Sequence, residues 1–70
     1  MAHYYINLNE QPKGEHEIHK ASCLWLPEPK NREYLGEFST DLEALYLAQA
    51  KHPSWCINGC FWCCPSIDTD

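Results

Sequence analysis

Two pairs of metal-type ligands stand far apart in this short chain: His19-Lys20-Ala21-Ser22-Cys23 and Cys60-Phe61-Trp62-Cys63. Together they read H-x3-C, a long gap, then C-x2-C, which is how a structural zinc site is commonly supplied. Two cysteines so spaced in a tight turn can aim both sulfurs at one ion about 2.3 Å away, with backbone N–H groups near enough to share the thiolate charge. A His and a Cys four positions apart do the same where a strand ends and turns between them. The two pairs complete a tetrahedron with no open position, a site that contributes folding energy and not catalysis. The expectation is one structural Zn²⁺ per chain, held by His19, Cys23, Cys60 and Cys63 and tying the N-terminal half of the domain to its C-terminal end.

The same residues have plainer readings. A lone His is most often a satisfied surface or core side chain, and Cys is among the most buried residue types. Packing does not explain five cysteines in 70 residues, with four of them between positions 56 and 64. A reduced or redox-active thiol cluster and a set of disulfides are the competing readings. The odd cysteine count argues against a closed disulfide framework.

Seventy residues make one domain, at a size where hydrophobic burial and chain entropy nearly cancel. A hydrophobic content of 44% marks a folded chain. Such a domain commonly needs a staple, and a structural Zn²⁺ supplies on the order of 10–16 kcal/mol in small finger peptides. The net charge is −5, and three thiolates around a divalent ion make it one unit more negative. That disfavours non-specific nucleic-acid binding, which runs on counterion release by Lys and Arg. The start, Met1 to Asn7, has neither a basic stretch nor an apolar run, so no signal peptide is expected. No segment approaches the roughly 20 apolar residues of a membrane span. A cytoplasmic location, where thiols stay reduced, follows as an expectation.

Along the chain, His3–Leu8 alternates and reads as a strand with Tyr4, Ile6 and Leu8 on one face. Asn9–Gly14 is turn chemistry. Glu15–His19 reads as a return strand, His16 and Ile18 on one face, Glu15, Glu17 and His19 on the other. Pro27 and Pro29 exclude a helix interior around them. Glu33–Phe38 reads as a third strand, with Gly36 suggesting a bulge or a close backbone approach. Thr40 and Glu43 form a capping box ahead of a helix running through Lys51, whose expected core face is Leu42, Leu45 and Tyr46, with Leu47 making a second contact or an exposed patch. Lys51 and His52 suit the C-terminal dipole, and Pro53 ends the helix. Ser54–Ile57 reads as a connector, Asn58-Gly59 as a turn before Cys60, and residues 66–70 as a frayed tail behind a domain spanning residues 1–65. The expected fold is small α+β: a three-stranded antiparallel sheet, one helix and a zinc knuckle.

The order of these features resembles a known module. A strand, H-x3-C, Asn31-Arg32 before an aromatic strand ending Phe38-Ser39, Glu43-Ala44 in a capped helix, and Cys60-x2-Cys63-x-Pro65 are similar to the zinc-binding module related to the metal-binding domain of the Ada DNA-repair protein, which also occurs appended to bacterial nucleases. The resemblance covers residues 4–65. With Tyr4-Tyr5-Ile6-Asn7, His16-Glu17-Ile18-His19, Tyr34-Leu35-Gly36 and the C-terminal cysteines, the whole chain looks still more like a family of small stand-alone bacterial proteins without an assigned activity. Ada-type domains use four cysteines and methylate one, whereas His19 stands at the first ligand position here and no attached large catalytic domain is expected. The nuclease modules are basic around C-x2-C, where this chain has Phe61, Trp62 and Cys64. The resemblance therefore implies fold and zinc ligation, not methyl transfer or DNA binding.

Three functions compete. The first is a structural zinc module mediating a protein interaction, with a protein partner or a second copy docking on Trp25, Trp55, Phe61 and Trp62, since aromatic anchors are enriched in interface hot spots. The plainer reading has Trp25 and one other tryptophan closing a small core over the zinc. The second is a thiol-based redox or metal sensor using Cys56, Cys60, Cys63 and Cys64. There Cys56 and Cys64 are spare thiols beside a cation, packing residues or support for the ligands, and Cys64 could replace Cys63 as ligand. The third is a nucleic-acid-binding accessory module, which would need Lys20, Lys30, Arg32 and Lys51 to gather into one patch. No catalytic set or phosphate loop is present in the sequence, so a non-enzyme is expected.

Overall fold

The computed structural model describes residues 1–68. Its elements are β1 (Ala2–Asn7), β2 (Glu15–Lys20), β3 (Arg32–Phe38), α1 (Asp41–Lys51) and β4 (Cys56–Gly59), with 3-10 turns at Pro29–Asn31 and Pro65–Ile67. The strands form one sheet in the order β3-β1-β2-β4. β1 pairs antiparallel with β2 and with β3, while β2 and β4 run parallel, Glu15 opposite Cys56 and Ile18 opposite Gly59.

This corrects the expected three-stranded antiparallel sheet. The fold remains small α+β, but the sheet has four strands and is mixed. The missed strand is β4, where Asn58-Gly59 pairs along β2 and does not turn. Four residues carry too little alternation to read as a strand. Parallel pairing needs a crossover of a dozen residues or more; residues 21–55, with β3 and α1 inside them, supply it.

The core is built from strand positions Tyr4, Ile6, Ile18 and Leu35, the helix face Ala44 and Ala48 over them, and Cys64 and Ile67 from the turns after β4. Leu8 lies past the end of β1 and is 40% exposed, so the face expected to include it stops at Ile6. The bulge expected at Gly36 is present: the register steps from Tyr4 opposite Gly36 to Tyr5 opposite Tyr34, leaving Leu35 extra, and Gly36 takes φ +133°. A side chain there would be strained, and the Phe38 ring covers the place a Cβ would take.

The capping box is formed as expected. Glu43 N–H donates to Thr40 Oγ1 at 3.3 Å and Thr40 N–H to Glu43 Oε1 at 3.1 Å. The helix buries Asp41, Ala44 and Ala48, and leaves Leu42 and Tyr46 exposed. The expected Leu42/Leu45/Tyr46 face is therefore rotated. Alanines let the helix approach the sheet closely, while Leu45 and Leu47 pack at the core's edge. Asp41 is turned inward because three groups receive its carboxylate there: Tyr4 OH, Ser66 Oγ at 2.9 Å and Lys20 Nζ at 3.7 Å. Burial and that carboxylate push the Tyr4 phenol well above its ordinary range.

The expected frayed tail is also corrected. Ile67 is in the core, Ser66 holds Asp41, and Asp68 accepts from Asn58 Nδ2 at 3.0 Å. Residues 69 and 70 lie outside the described residues.

Candidate metal centre

Two parallel strands leave the sheet at the same end, and this brings the distant ligand pairs together. After β2 the chain turns, with Cys23 N–H donating to Lys20 O at 3.0 Å. After β4, Cys60 N–H continues the ladder to Ile18 O at 3.0 Å, and Cys64 N–H closes the next turn on Cys60 O at 2.8 Å. Gly59 permits that turn to fold back on the strand. A Cβ there would lie 2.4 Å from Ile67 Cγ1 and 2.5 Å from Cys64 O.

The result places one ligand atom from each of His19, Cys23, Cys60 and Cys63 within 4.8 Å of the others. Cys23 Sγ is 3.9 Å from Cys60 Sγ and 3.7 Å from His19 Nδ1, and Cys63 Sγ is 4.0 Å from that nitrogen. A tetrahedral ion with sulfur at about 2.3 Å sets its sulfurs about 3.8 Å apart, so the separations suit one ion at the centre. All five cysteines are free thiols. This cluster could hold a metal ion.

The surroundings favour ligation. His19 turns Nδ1 to the sulfurs and holds Nε2 3.5 Å from Glu17 Oε1. A carboxylate on the far nitrogen of a ligating His fixes its tautomer and ring orientation and raises its basicity. Burial lowers the His19 pKa, favouring the neutral ring a metal needs. Burial pushes the Cys60 and Cys63 thiols up, while N–H groups at Trp62 and Cys63 toward Cys60, and at Lys20 toward Cys63 (3.4 Å), oppose it. Without a cation these sulfurs keep their protons. A cation between them reverses that balance, because a coordinating thiol is deprotonated outright.

The remaining sequence candidates separate. Cys64 is buried in the core, its sulfur 3.9 Å from Cys63 Sγ, and burial with the nearby Asp41 carboxylate pushes its pKa up to about 11. It is not among the four gathered ligand groups. Cys56 is exposed at the start of β4. Trp25, Phe61 and Trp62 are 61%, 64% and 69% exposed, and Leu24 beside them is 96% exposed. Trp55 does not join that surface. It stacks between His16 and His52, ring centroids 3.7 Å away on either side. Of the four aromatics singled out in the sequence, Trp25, Phe61 and Trp62 are exposed, with the aliphatic Leu24 next to Trp25.

The four basic residues that the sequence offered as a patch are engaged singly. Lys20 meets Asp41, Lys30 meets Glu28 and Lys51 meets Glu33, while Arg32 donates to Pro27 O and lies over the Tyr5 ring. Glu17 was not singled out as a site residue in the sequence, although its spacing of two from His19 on a strand is the signal that both share a side. The Asp41 anchor had no such signal, because its three partners, Tyr4, Lys20 and Ser66, come from three separate segments.

An open groove of about 280 Å³ lies beside the cluster, lined in part by Glu17, His19, Trp25, Cys60, Phe61 and Trp62. No helix among the described residues is long and apolar enough to cross a membrane. Compared with family models, curated proteins and solved structures, the chain matches none.

Proposed function

We propose that this chain is a structural zinc module that presents an aromatic surface to a protein partner in a reducing, cytoplasmic setting. The observation that carries the reading is the convergence of one imidazole nitrogen and three sulfurs within 4.8 Å. Three thiolates and an imidazole at tetrahedral spacing select zinc among common ions, and a closed set of four leaves no position for substrate. Zinc here joins the end of β2 to the end of β4, stabilising a domain too small to rely on its core alone. The resemblance to Ada-type modules runs through the same four positions and supports the same role.

The surface half of the reading rests on Leu24, Trp25, Phe61 and Trp62, which stand exposed around the ligand turns. The other functions draw less support. Cys64 sits in the apolar core with a raised pKa, where a thiol is inert. Lys20, Lys30, Arg32 and Lys51 each lie beside a different neighbouring acceptor, Asp41, Glu28, Pro27 O and Glu33.

Native mass spectrometry of protein purified without added metal tests the zinc reading. One zinc per chain, lost together with folded structure on chelation, is the expected result. A metal-free chain that stays folded would sink it.

A further inference from the structure

We infer that the groove beside the metal centre receives the side chain of an arginine carried on a partner polypeptide. The inference deepens the zinc-module reading and draws part of its charge argument from it. The groove's walls include Trp25, Phe61 and Trp62, and its lining includes the Glu17 carboxylate, with no Lys or Arg among the described lining residues. Trp62 packs edge-on against Phe61, centroids 5.0 Å apart at 83°, so its indole stands on a neighbour while remaining 69% exposed. Three thiolates around a divalent ion add one net negative charge directly behind the groove. The nearest basic residue along β2, Lys20, is directed to Asp41 at 3.7 Å.

An anionic lining with aromatic walls fits a cation. Indole is the best of the aromatic faces for one. Arginine fits better than lysine, because its planar guanidinium stacks on an aromatic ring as an ammonium does not. The chain already uses this contact once, with Arg32 Cζ 4.7 Å from the Tyr5 ring centroid. The groove's about 280 Å³ has room for a side chain and not for a folded element. The chain's net charge of −5 opposes a second copy as occupant and attracts a basic segment.

The test titrates full-length zinc-loaded protein with a short glycine-flanked arginine peptide and its citrulline counterpart, following the three tryptophan indole N–H signals by NMR. Arginine peptide is expected to move the Trp25 and Trp62 signals and leave Trp55 still. Citrulline, which keeps the shape and drops the charge, should bind about ten-fold more weakly, the scale of one cation–π contact. Trp62→Ala should abolish the arginine response with zinc retained. Equal response to both peptides, or no movement of Trp25 and Trp62 in zinc-loaded protein, would overturn the inference. Movement of those signals with protein concentration alone would overturn it too, by identifying a second copy as the occupant. Native mass on the same sample separates this from failure of the module reading, which would show as absent zinc.

Discussion

The parallel pair β2–β4 is closed differently at its two ends. Where the strands begin, Trp55 lies between His16 and His52 in a three-ring stack. His16 Nδ1–H donates to Asn7 O at 2.9 Å, and His52 Nε2–H to Glu33 Oε1 at 2.6 Å. Both imidazoles of that stack find a hydrogen-bond partner within the chain. Where the strands end, three sulfurs and a ring nitrogen gather within 4.8 Å, and burial disfavours the thiolate forms of Cys60 and Cys63. The first end is closed by packing, whereas the second gathers groups that could hold a metal ion. A small domain can therefore be held by two unlike devices on one pair of strands, each identifiable from the atoms that meet there.

Removing a ligand should have the largest effect. Cys60→Ser is expected to abolish metal retention and, since site formation is folding free energy on the order of 10 kcal/mol, to leave a largely unfolded chain by NMR. A folded, metal-free Cys60→Ser would show that both ends close by packing. Next comes the joint behind the ligands. Gly59→Ala places a Cβ against Ile67 and the Cys64 carbonyl, an overpacking of about 1–3 kcal/mol. It should lower the denaturant midpoint and speed zinc loss to a chelator together. An unchanged zinc off-rate would separate the joint from the site.

At the opposite end, Trp55→Ala should cost about 2–3 kcal/mol, less than a fully buried Trp because the ring is only partly enclosed. Zinc stoichiometry should stay at one, since the ring's stacking partners, His16 and His52, stand where the strands begin and the ligand groups stand where they end. The smallest effect is a pH slope. The hydrogen bond from His52, with Lys51 nearby, holds the Glu33 carboxyl below its ordinary value. A depressed carboxylate pKa contributes stability above its unfolded value that is lost as pH falls through the folded one. Acid unfolding of the wild type should therefore be steeper below about pH 4.5 than that of Glu33→Gln, measured by denaturant midpoints across pH. Equal slopes would remove Glu33 from the stack's support.

Local chemistry made much of this legible in the sequence. The ligand spacing, the capping box at Thr40 and Glu43, the bulge at Gly36 and three of the strands each announce themselves within a few residues. Features made by distant residues were not legible. β4 is four residues long and ends in Asn58-Gly59, which as a dipeptide reads as a turn and becomes strand only by pairing with β2. The helix face was misread because hydrophobicity favoured Leu42 and Tyr46, while close approach to the sheet favoured Ala44 and Ala48. Trp55 looked like a surface aromatic because its two stacking partners lie at positions 16 and 52. Ile67 looked like tail because the cavity it fills is bounded by Gly59 and the preceding turn.

X-ray absorption at the zinc edge of purified protein addresses the ligand set itself. Three sulfurs at about 2.3 Å and one nitrogen at about 2.0–2.1 Å are expected from Cys23, Cys60, Cys63 and His19. Four sulfurs would mean that Cys64 has displaced His19, and a shell of nitrogen and oxygen alone would mean that zinc binds elsewhere on the chain.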